Sequence, residues 1–260
     1  MFPASSNPFT RAAGMIAASV ILLACPCAAQ VKQEPPPLIS DRPDFTESSN
    51  AVPRGLLQIE SGFTFTNDSS GFRLFNAPET LLRWGAGHRS EWRLGLPDVL
   101  AQRRVGRRTG FGDAYLGFKR ELGHVKGFEA AFVPGVSLPT GSAGIGTGGL
   151  DPEMLLTWAA PLGGPWSISG QFGAAWFRNE TKRSFNWAPT VSVGRSLGGR
   201  WTSFVEYAGS FTGGDSEVHL LHHGYLYSLT PNSQLDVHGG FGLSRDAPDF
   251  FIGAGIVVRF

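Results

Sequence analysis

Phe250-Phe251-Ile252-Gly253-Ala254-Gly255-Ile256-Val257-Val258-Arg259-Phe260 ends the chain, and this stretch decides the fold. Every even position in it is apolar, whereas the odd positions include two glycines and Arg259. Successive side chains of a β-strand point to opposite faces, so the alternation predicts a strand with one apolar face.

The aromatic last residue, Phe260, resembles the end of the closing strand of bacterial outer-membrane β-barrels, where it acts as an assembly signal. In such a strand the apolar face contacts lipid.

Alternating segments bounded by turn residues recur from Leu56 onward. They cover residues 56–66, 79–86, 90–97, 112–121, 127–138, 153–161, 166–177, 185–197, 200–211, 218–229, 233–245 and 250–260. Twelve is an even number, as a single-chain barrel with both termini in the periplasm requires. After residue 29, no apolar run approaches the length of about 20 residues that a membrane helix needs. We therefore predict an all-β fold, a transmembrane antiparallel up-and-down β-barrel over residues 56–260.

The predicted connections are sorted by length. The first, third and fifth are long, at residues 67–78, 98–111 and 139–152, and the later odd ones are intermediate, at 178–184, 212–217 and 246–249. The even-numbered connections are short, at residues 87–89, 122–126, 162–165, 198–199 and 230–232. Short periplasmic turns that alternate with longer outer loops are typical of outer-membrane barrels. A soluble β-sandwich has no reason to sort its loops in this way.

The amino-terminal residues predict export. Residues 1–29 combine Arg11, an apolar run over residues 12–24 and small residues before Gln30, as in a cleaved signal peptide. A second interpretation is a lipobox at residues 22–25, which would place a lipid on Cys25, and a third is a retained anchor. Both cysteines, Cys25 and Cys27, lie in this segment, so cleavage after Ala29 leaves a chain without thiols. We expect the mature protein in the bacterial outer membrane.

The charge balance argues against a nucleic-acid partner. The chain has 22 basic and 21 acidic residues, and loss of Arg11 with the signal peptide leaves 21 of each. A nucleic-acid-binding protein would show a basic excess on one face.

Charged residues on the faces opposite the apolar ones are expected to line the lumen. They are Glu60, Arg83, Glu91, Arg93, Lys119, Glu121, Glu129 and Glu206. A charge that faces lipid costs about 2–4 kcal/mol at the midplane, whereas one in a wet lumen costs little. Because the signs are mixed, we expect ion pairs between opposite walls. Twelve strands lie between filled small barrels and open porins, so we expect a narrow, constricted channel.

Two other clusters have competing interpretations. Arg103, Arg104, Arg107 and Arg108 fall in the second outer loop, where they either contact lipopolysaccharide phosphates or an anionic solute, or form a solvated loop. His219, His222 and His223 are predicted to line an interface or the lumen, because no acidic ligand follows them at metal spacing. No metal and no cofactor are expected.

Residues 30–55 carry no strand or helix pattern. A polyproline stretch at residues 34–37 precedes Asp41-Arg42-Pro43-Asp44-Phe45-Thr46-Glu47-Ser48. This stretch, with residues 52–62 and with the Leu-Pro-Thr-Gly element at 138–141, resembles the bacterial family named for a putative MetA pathway of phenol degradation. The motif positions are Asp41, Arg42, Pro43, Asp44, Thr46 and Glu47. The resemblance implies an outer-membrane barrel that passes small hydrophobic or aromatic compounds.

Two placements of this proline-rich periplasmic segment stand side by side. In one, residues 41–47 enter the barrel mouth and pair Arg42 with carboxylates of the lumen. In the other, they form a solvated periplasmic tail.

We predict an outer-membrane channel that passes a small solute by passive or facilitated diffusion, and not an enzyme. The alternatives are an outer-membrane lipid hydrolase and a structural or lipid-binding barrel without transport. Serine and histidine are present, but no spacing selects a catalytic triad and no Gly-x-Ser-x-Gly elbow occurs. The expected partners are outer-membrane lipids, lipopolysaccharide, the barrel-assembly machinery and the solute.

Overall fold

A computed structural model of the chain describes residues 36–104, 106–179, 182–213 and 216–260. The predicted signal peptide, residues 1–29, and Cys25 lie outside these described residues. Within the described ranges, no helix has the length and hydrophobicity needed to cross a bilayer.

Every regular element of the described chain is a β-strand. The strands are β1 Leu57–Asn67, β2 Arg73–Gly87, β3 Ser90–Leu96, β4 Val99–Arg104, β5 Gly106–Phe111, β6 Ala114–Val125, β7 Phe128–Leu138, β8 Asp151–Gly163, β9 Trp166–Asn179, β10 Lys182–Gly198, β11 Trp201–Thr212, β12 Ser216–Thr230, β13 Ser233–Gly242 and β14 Phe250–Arg259. All pairings between them are antiparallel, and β1 pairs with both β2 and β14, which closes the sheet into a barrel.

The fourteen strands form twelve wall strands. Strands β3 and β4 both pair with β2, and the register continues unchanged from one to the other. In the same way, β6 pairs with β3 and β5 pairs with β4 in one continuous register. Strands β3 and β4 thus form one long strand, interrupted at residues 97–98, and β5 and β6 form another, interrupted at residues 112–113. The prediction of a closed, twelve-stranded antiparallel barrel is confirmed.

Two predicted loops are wrong in extent. Strand β2 begins at Arg73, so the first connection is residues 68–72 rather than 67–78. Most of the predicted loop 98–111 is a hairpin made by β4 and β5. Backbone hydrogen bonds between strands do not require apolar side chains, so a wall can continue beyond the lipid in polar residues that resemble a loop. The third long connection remains, at residues 139–150.

The two faces of the wall are those that the alternation predicts. On the last strand, Ile252 and Ile256 are 52% and 42% exposed, while Arg259 is buried. Phe251 and Val257 also point inward and are buried. The largest fully buried side chains of the barrel include Arg83, Arg93, Lys119, His222, Gln58, Glu60, Glu91 and Glu206. The apolar surface is therefore outside and the polar interior inside, as a transmembrane barrel requires.

Candidate functional site

The segment that precedes β1 lies inside the barrel. We call residues 36–56 the plug. Polar atoms of the plug bond to side chains on many wall strands, namely Gln58, Glu60, Glu79, Arg83, Glu91, Arg93, Lys119, Glu121, Thr157, Gln171, Thr190, Ser192, Glu206, Gln234, Asp236 and Arg259. Asp41, Thr46, Ser49 and Val52 are all less than a tenth exposed. Of the two placements considered for this segment, the structure has the one inside the barrel.

The dimensions explain how the plug, which folds back on itself where Ser48 bonds to the Asp41 carboxylate, fills much of the bore. Twelve strands spaced about 4.8 Å apart and tilted by about 40° give a backbone radius of about 12 Å. Side chains that project about 5 Å from each wall leave a gap about 14 Å wide, and an extended chain with its own side chains needs about 10 Å. The plug therefore occupies most of the lumen.

The plug is held most strongly at Asp41. Its carboxylate lies 2.6 Å from Arg93, 3.0 Å from Lys119 and 3.3 Å from Arg83. We call these four residues the anchor cluster. The carboxylate of Glu60 accepts hydrogen bonds from the backbone N–H groups of Asp41 and Arg42. One buried anion of the plug is thereby surrounded by three buried cations of the wall.

The wall charges pair between neighbouring strands, not between opposite walls as predicted. Arg83 on β2 contacts Glu60 on β1 and Glu91 on β3, each at 2.8 Å. Arg93 contacts Glu91 at 2.9 Å and Glu47 of the plug at 2.7 Å. These paired residues, with Lys119 on β6, lie on adjacent strands, so no ion pair between them spans the bore. The plug, rather than a pair of wall residues, joins the two sides.

Arg42 fastens the plug to the line where β1 meets β14. Its guanidinium lies 3.2 Å from Asp236 and 3.2 Å from Glu79. It passes over Gly62 and Gly255, which face each other across the β1–β14 pair. A Cβ atom at either glycine would lie within 2.4 Å of the guanidinium group. A side chain at either position would force the guanidinium of Arg42 to move.

A second anchor lies on the opposite wall, at Glu206. Its carboxylate accepts hydrogen bonds from the N–H groups of Phe45 and Thr46 at 2.9 and 2.7 Å. It also contacts His222 Nδ1 at 2.8 Å, and His222 Nε2 lies 3.0 Å from His238 Nδ1. Both ring nitrogens of His222 are therefore engaged. No serine hydroxyl of the described chain hydrogen-bonds to a histidine ring nitrogen in the way that a nucleophile and its base would.

The carboxyl groups of Asp41 and Asp44 have opposite effects on the docking of the plug in the lumen. Burial alone would raise the pKa of Asp41, but the three cations of the anchor cluster outweigh it and hold that pKa well below its ordinary value. Burial and the nearby Glu206 carboxylate raise the pKa of Asp44 well above its ordinary value. Ionised Asp41 thus supports docking, and that support is lost only as the pH falls through its lowered pKa. Ionised Asp44 opposes docking, and this opposition declines as the pH falls from its raised pKa toward its ordinary value.

Two cavities border the plug. One, of about 240 Å³, lies toward the short turns and is lined by Asp44, Ser169 and Ser192 among others. The other, of about 410 Å³, lies toward the long loops and is lined by Phe45, Leu81 and charged residues that include Glu79. The larger cavity has the size of a small-molecule site, and the plug lies between the two.

The remaining predicted residues lie apart from the anchor cluster. Glu121 is near the turn end of the barrel, where it bonds to Arg89 and to the N–H of Ala51. Glu129 is at the same end and has His124 at 3.8 Å. Arg103, Arg104, Arg107 and Arg108 belong to the β4–β5 hairpin instead of a loop. His222 points into the lumen, whereas His223 is exposed on the other face of the same strand. No group of potential metal ligands occurs among the described residues.

Sequence reasoning did not single out several residues that hold the plug. Asp236, Gln171 and Thr190 all contact it. The alternation of β9 and β13 places Gln171 and Asp236 on the inward face, so their position in the lumen could have been predicted from the sequence. Which of the inward polar residues meet the plug depends on the barrel register and on the path of a segment without periodicity.

Comparison with known proteins identifies the family of the chain and the solved structures that share its fold. A sequence model of the family described as "Putative MetA-pathway of phenol degradation" matches residues 40–260. The crystal structure of the COG4313 outer membrane channel from Pseudomonas putida F1 matches with a TM-score of 0.64 at 13% identity, over 82% of this chain and 98% of that chain. The NanC porin matches at 0.54 with 8% identity, over 78% and 100%, and the KdgM porin at 0.53 with 14% identity, over 78% and 99%. No curated protein matches the sequence. At these identities the solved structures share the barrel fold.

Proposed function

We propose that this chain, which belongs to the family described as "Putative MetA-pathway of phenol degradation", is an outer-membrane channel for a small solute and is closed at rest by its own plug. The observation that carries the proposal is the lumen itself, a polar bore occupied by a segment of the same chain. The outer-membrane barrels that share its fold support an outer-membrane location. Export by residues 1–29 and periplasmic termini belong to the same proposal.

The chemistry of the plug contacts favours reversible closure. The plug is held by ion pairs and hydrogen bonds, with few buried apolar side chains, and water entering the lumen can replace such contacts. Asp41 favours docking and Asp44 opposes it, so the docked and released states lie closer in free energy than the number of contacts suggests. A channel whose closing element is finely balanced can open in response to a solute.

The solute class that fits is small and at least partly apolar. The cavity on the loop side combines the apolar side chains Phe45 and Leu81 with charged groups that fix orientation. This supports the hydrophobic or aromatic solute that the family resemblance implies. Among the described residues, no serine hydroxyl bonds to a histidine ring nitrogen, so no such pair of nucleophile and base supports the hydrolase alternative.

A reversible disulfide that locks the plug to the wall tests whether the plug closes the channel. The hydroxyl groups of Thr46 in the plug and Thr190 on β10 are in contact, and cysteines occur in the chain only at positions 25 and 27. We expect the Thr46→Cys/Thr190→Cys protein to conduct when reduced and to lose most of its conductance when oxidised. The measurements are planar-bilayer conductance and liposome swelling with a panel of small solutes.

A second cysteine pair, placed within the wall, controls for the effects of oxidation itself. Ser61 and Thr80 lie on β1 and β2 with their hydroxyl oxygens 2.8 Å apart, and neither belongs to the plug. Ser61→Cys/Thr80→Cys should conduct equally in both redox states. If neither the wild type nor the reduced Thr46→Cys/Thr190→Cys protein passes any solute, the channel is refuted. If the Thr46→Cys/Thr190→Cys protein conducts equally when oxidised and when reduced, the plug does not close the channel. The proposal of a channel would not be affected by that result.

Phe260 is proposed to mark the chain for the barrel-assembly machinery. Its side chain is 67% exposed, at the lipid-facing end of β14, and it contributes little to the interior. We expect Phe260→Ala to lower the amount of assembled barrel in the outer membrane several-fold, while the purified variant unfolds at the wild-type urea concentration. Phe250→Ala, on the same face at the other end of β14, is the control. Loss of stability without loss of assembly would contradict the proposal.

A further inference from the structure

Three arginines form a row across the β2–β4–β5 part of the wall. Arg73 on β2 pairs in register with Arg103 on β4, and Arg103 pairs with Arg107 on β5. We call these three residues the arginine row, and all three are exposed. Side chains directly opposite each other on neighbouring strands have Cβ atoms about 5 Å apart, and like charges in such positions repel. The row is therefore unfavourable unless an anion lies against it.

The arginine row faces outward, toward the surroundings of the barrel. Arg73 is two residues from Phe75 on the same face of β2, and Phe75 is 44% exposed and lies 6.1 Å from the lipid-facing Phe63. Phe75 pairs with Phe65, and Phe65 with Ile252, in a row of apolar residues. The arginine row is the next row toward the loop end, about 7 Å farther along the strands. That is the distance from the edge of the hydrocarbon to the headgroups.

The cations of the row are not neutralised by the part of the chain that the structure describes. Among those residues, no carboxylate lies within 4.0 Å of Arg73, Arg103 or Arg107, whereas Arg42, Arg83 and Arg93 each have one or more. The side chain of Arg73 contacts only the amide oxygen of Asn67, at 3.2 Å. Guanidinium groups bind phosphate through two parallel hydrogen bonds, so adjacent arginines can hold one phosphate together.

The same arrangement recurs on another part of the wall. On β9 and β10, Trp176 and Phe185 pair on the outer face with ring centroids 5.1 Å apart. Two residues farther toward the loop end, Arg178 pairs with Arg183. An aromatic row followed by opposed arginines thus occurs twice at the same end of the barrel. The repetition fits a ring of anions around the barrel better than a single soluble ligand.

We propose that the arginine row binds the phosphate groups of a lipid headgroup in the outer leaflet. The apolar row below it contacts the acyl chains of the same lipid, and Arg103 and Arg107 hold the phosphate. Arg108 takes no part, because it lies on the other face of the hairpin, beside Gly144 of the long loop. This binding site is separate from the lumen, so it is independent of transport.

Native mass spectrometry of the full chain in detergent tests the site. The probes are lipid A, a doubly phosphorylated acylated disaccharide, and the same lipid with its phosphates removed. We expect wild type to prefer the phosphorylated lipid and Arg103→Gln/Arg107→Gln to bind it about tenfold or more weakly, because each cation beside an anionic membrane surface contributes several-fold. Arg108→Gln/Arg245→Gln removes the same charge from the same end and should bind like wild type. The Arg103→Lys/Arg107→Lys protein keeps the charge without the paired hydrogen bonds and should be intermediate.

Three results would overturn the proposal. The first is equal binding by wild type and the Arg103→Gln/Arg107→Gln protein. The second is an equal loss in the Arg108→Gln/Arg245→Gln protein, which would make the effect one of net charge. The third is displacement of the lipid by an equal concentration of inorganic phosphate, which would assign the row to a free anion. If the Arg103→Gln/Arg107→Gln protein assembles poorly, the Arg103→Lys/Arg107→Lys protein is the test by itself. Lipid binding as tight as in wild type would then exclude recognition of the phosphate by paired guanidinium hydrogen bonds.

Discussion

A chain that lacks residues 36–52 is expected to assemble a barrel that conducts at least about tenfold more than wild type, because the gap left inside twelve tilted strands is wide enough for hydrated ions. The wall does not depend on the plug for its backbone hydrogen bonds, since every wall strand pairs with two neighbours and β1 meets β14 directly. The cations that lose Asp41 become hydrated rather than stranded. Single-channel conductance and the swelling rate of liposomes in small sugars measure the change.

Addition of the missing segment is the control for the shortened chain. A synthetic peptide of residues 36–52 should reduce the conductance again, and the same peptide with Asp41→Asn should reduce it much less. A shortened barrel with wild-type conductance would show that other residues close the lumen. A shortened barrel that fails to assemble would show instead that the plug is needed for folding, and the oxidised Thr46–Thr190 lock would then be the test of closure.

Replacement of Asp41 by asparagine is expected to release the plug without unfolding the barrel. The substitution keeps the shape and leaves three buried cations without their shared anion, and removal of one partner from a buried ion pair costs about 3–5 kcal/mol. A cost of that size shifts the equilibrium between docked and released plug at least about 100-fold. The open probability in planar bilayers should rise accordingly. The thiol of an added Thr46→Cys should become reactive toward a membrane-impermeant maleimide.

Asp44 supplies the matched control, because it carries the same chemistry three residues away in an opposite electrostatic setting. Its carboxyl lies near Glu206, and that neighbour with burial raises its pKa. Asp44→Asn removes a repulsion, so we expect docking at neutral pH to be unchanged or stronger and the open probability to be no higher than in wild type. If both substitutions open the channel equally, any change in the plug suffices, and the anchor cluster has no special role.

The wall of the barrel was largely predictable because lipid imposes a simple rule on it. Each spanning strand must show apolar side chains at alternate positions, and Phe250–Phe260 follows that rule without exception at its even positions. The rule ends where the lipid ends. Residues 99–111 carry arginines and glycines, and their pairing into a hairpin rests on backbone hydrogen bonds that leave no trace in hydropathy.

The lumen was predictable in composition but not in connection. Alternation on β1, β2 and β3 placed Glu60, Arg83 and Arg93 on the inward face, and all three are buried there. Their partners depend on which strands are neighbours and on a register that no single strand encodes. The plug has no periodicity at all, and its place was open between the lumen and the periplasm. Asp41 became the centre of the site only once its three cations could be located in space.

Gly255 at the β1–β14 junction links its own position to that of Arg42, far away in the sequence. Gly62 and Gly255 leave a gap that the guanidinium of Arg42 fills, and the atoms nearest to a Cβ added at Gly255 are those of this guanidinium, at 2.4 Å. A Cβ at Gly62 would also lie 2.6 Å from the backbone oxygen of Ala254, so Gly62 is needed with or without the arginine. An alignment of relatives should therefore show the glycine at position 255 lost where the arginine at position 42 is lost, while Gly62 is kept, and independent variation of positions 42 and 255 would refute this link. The residue at position 255 then reports, from sequence alone, whether a given relative carries a docked plug.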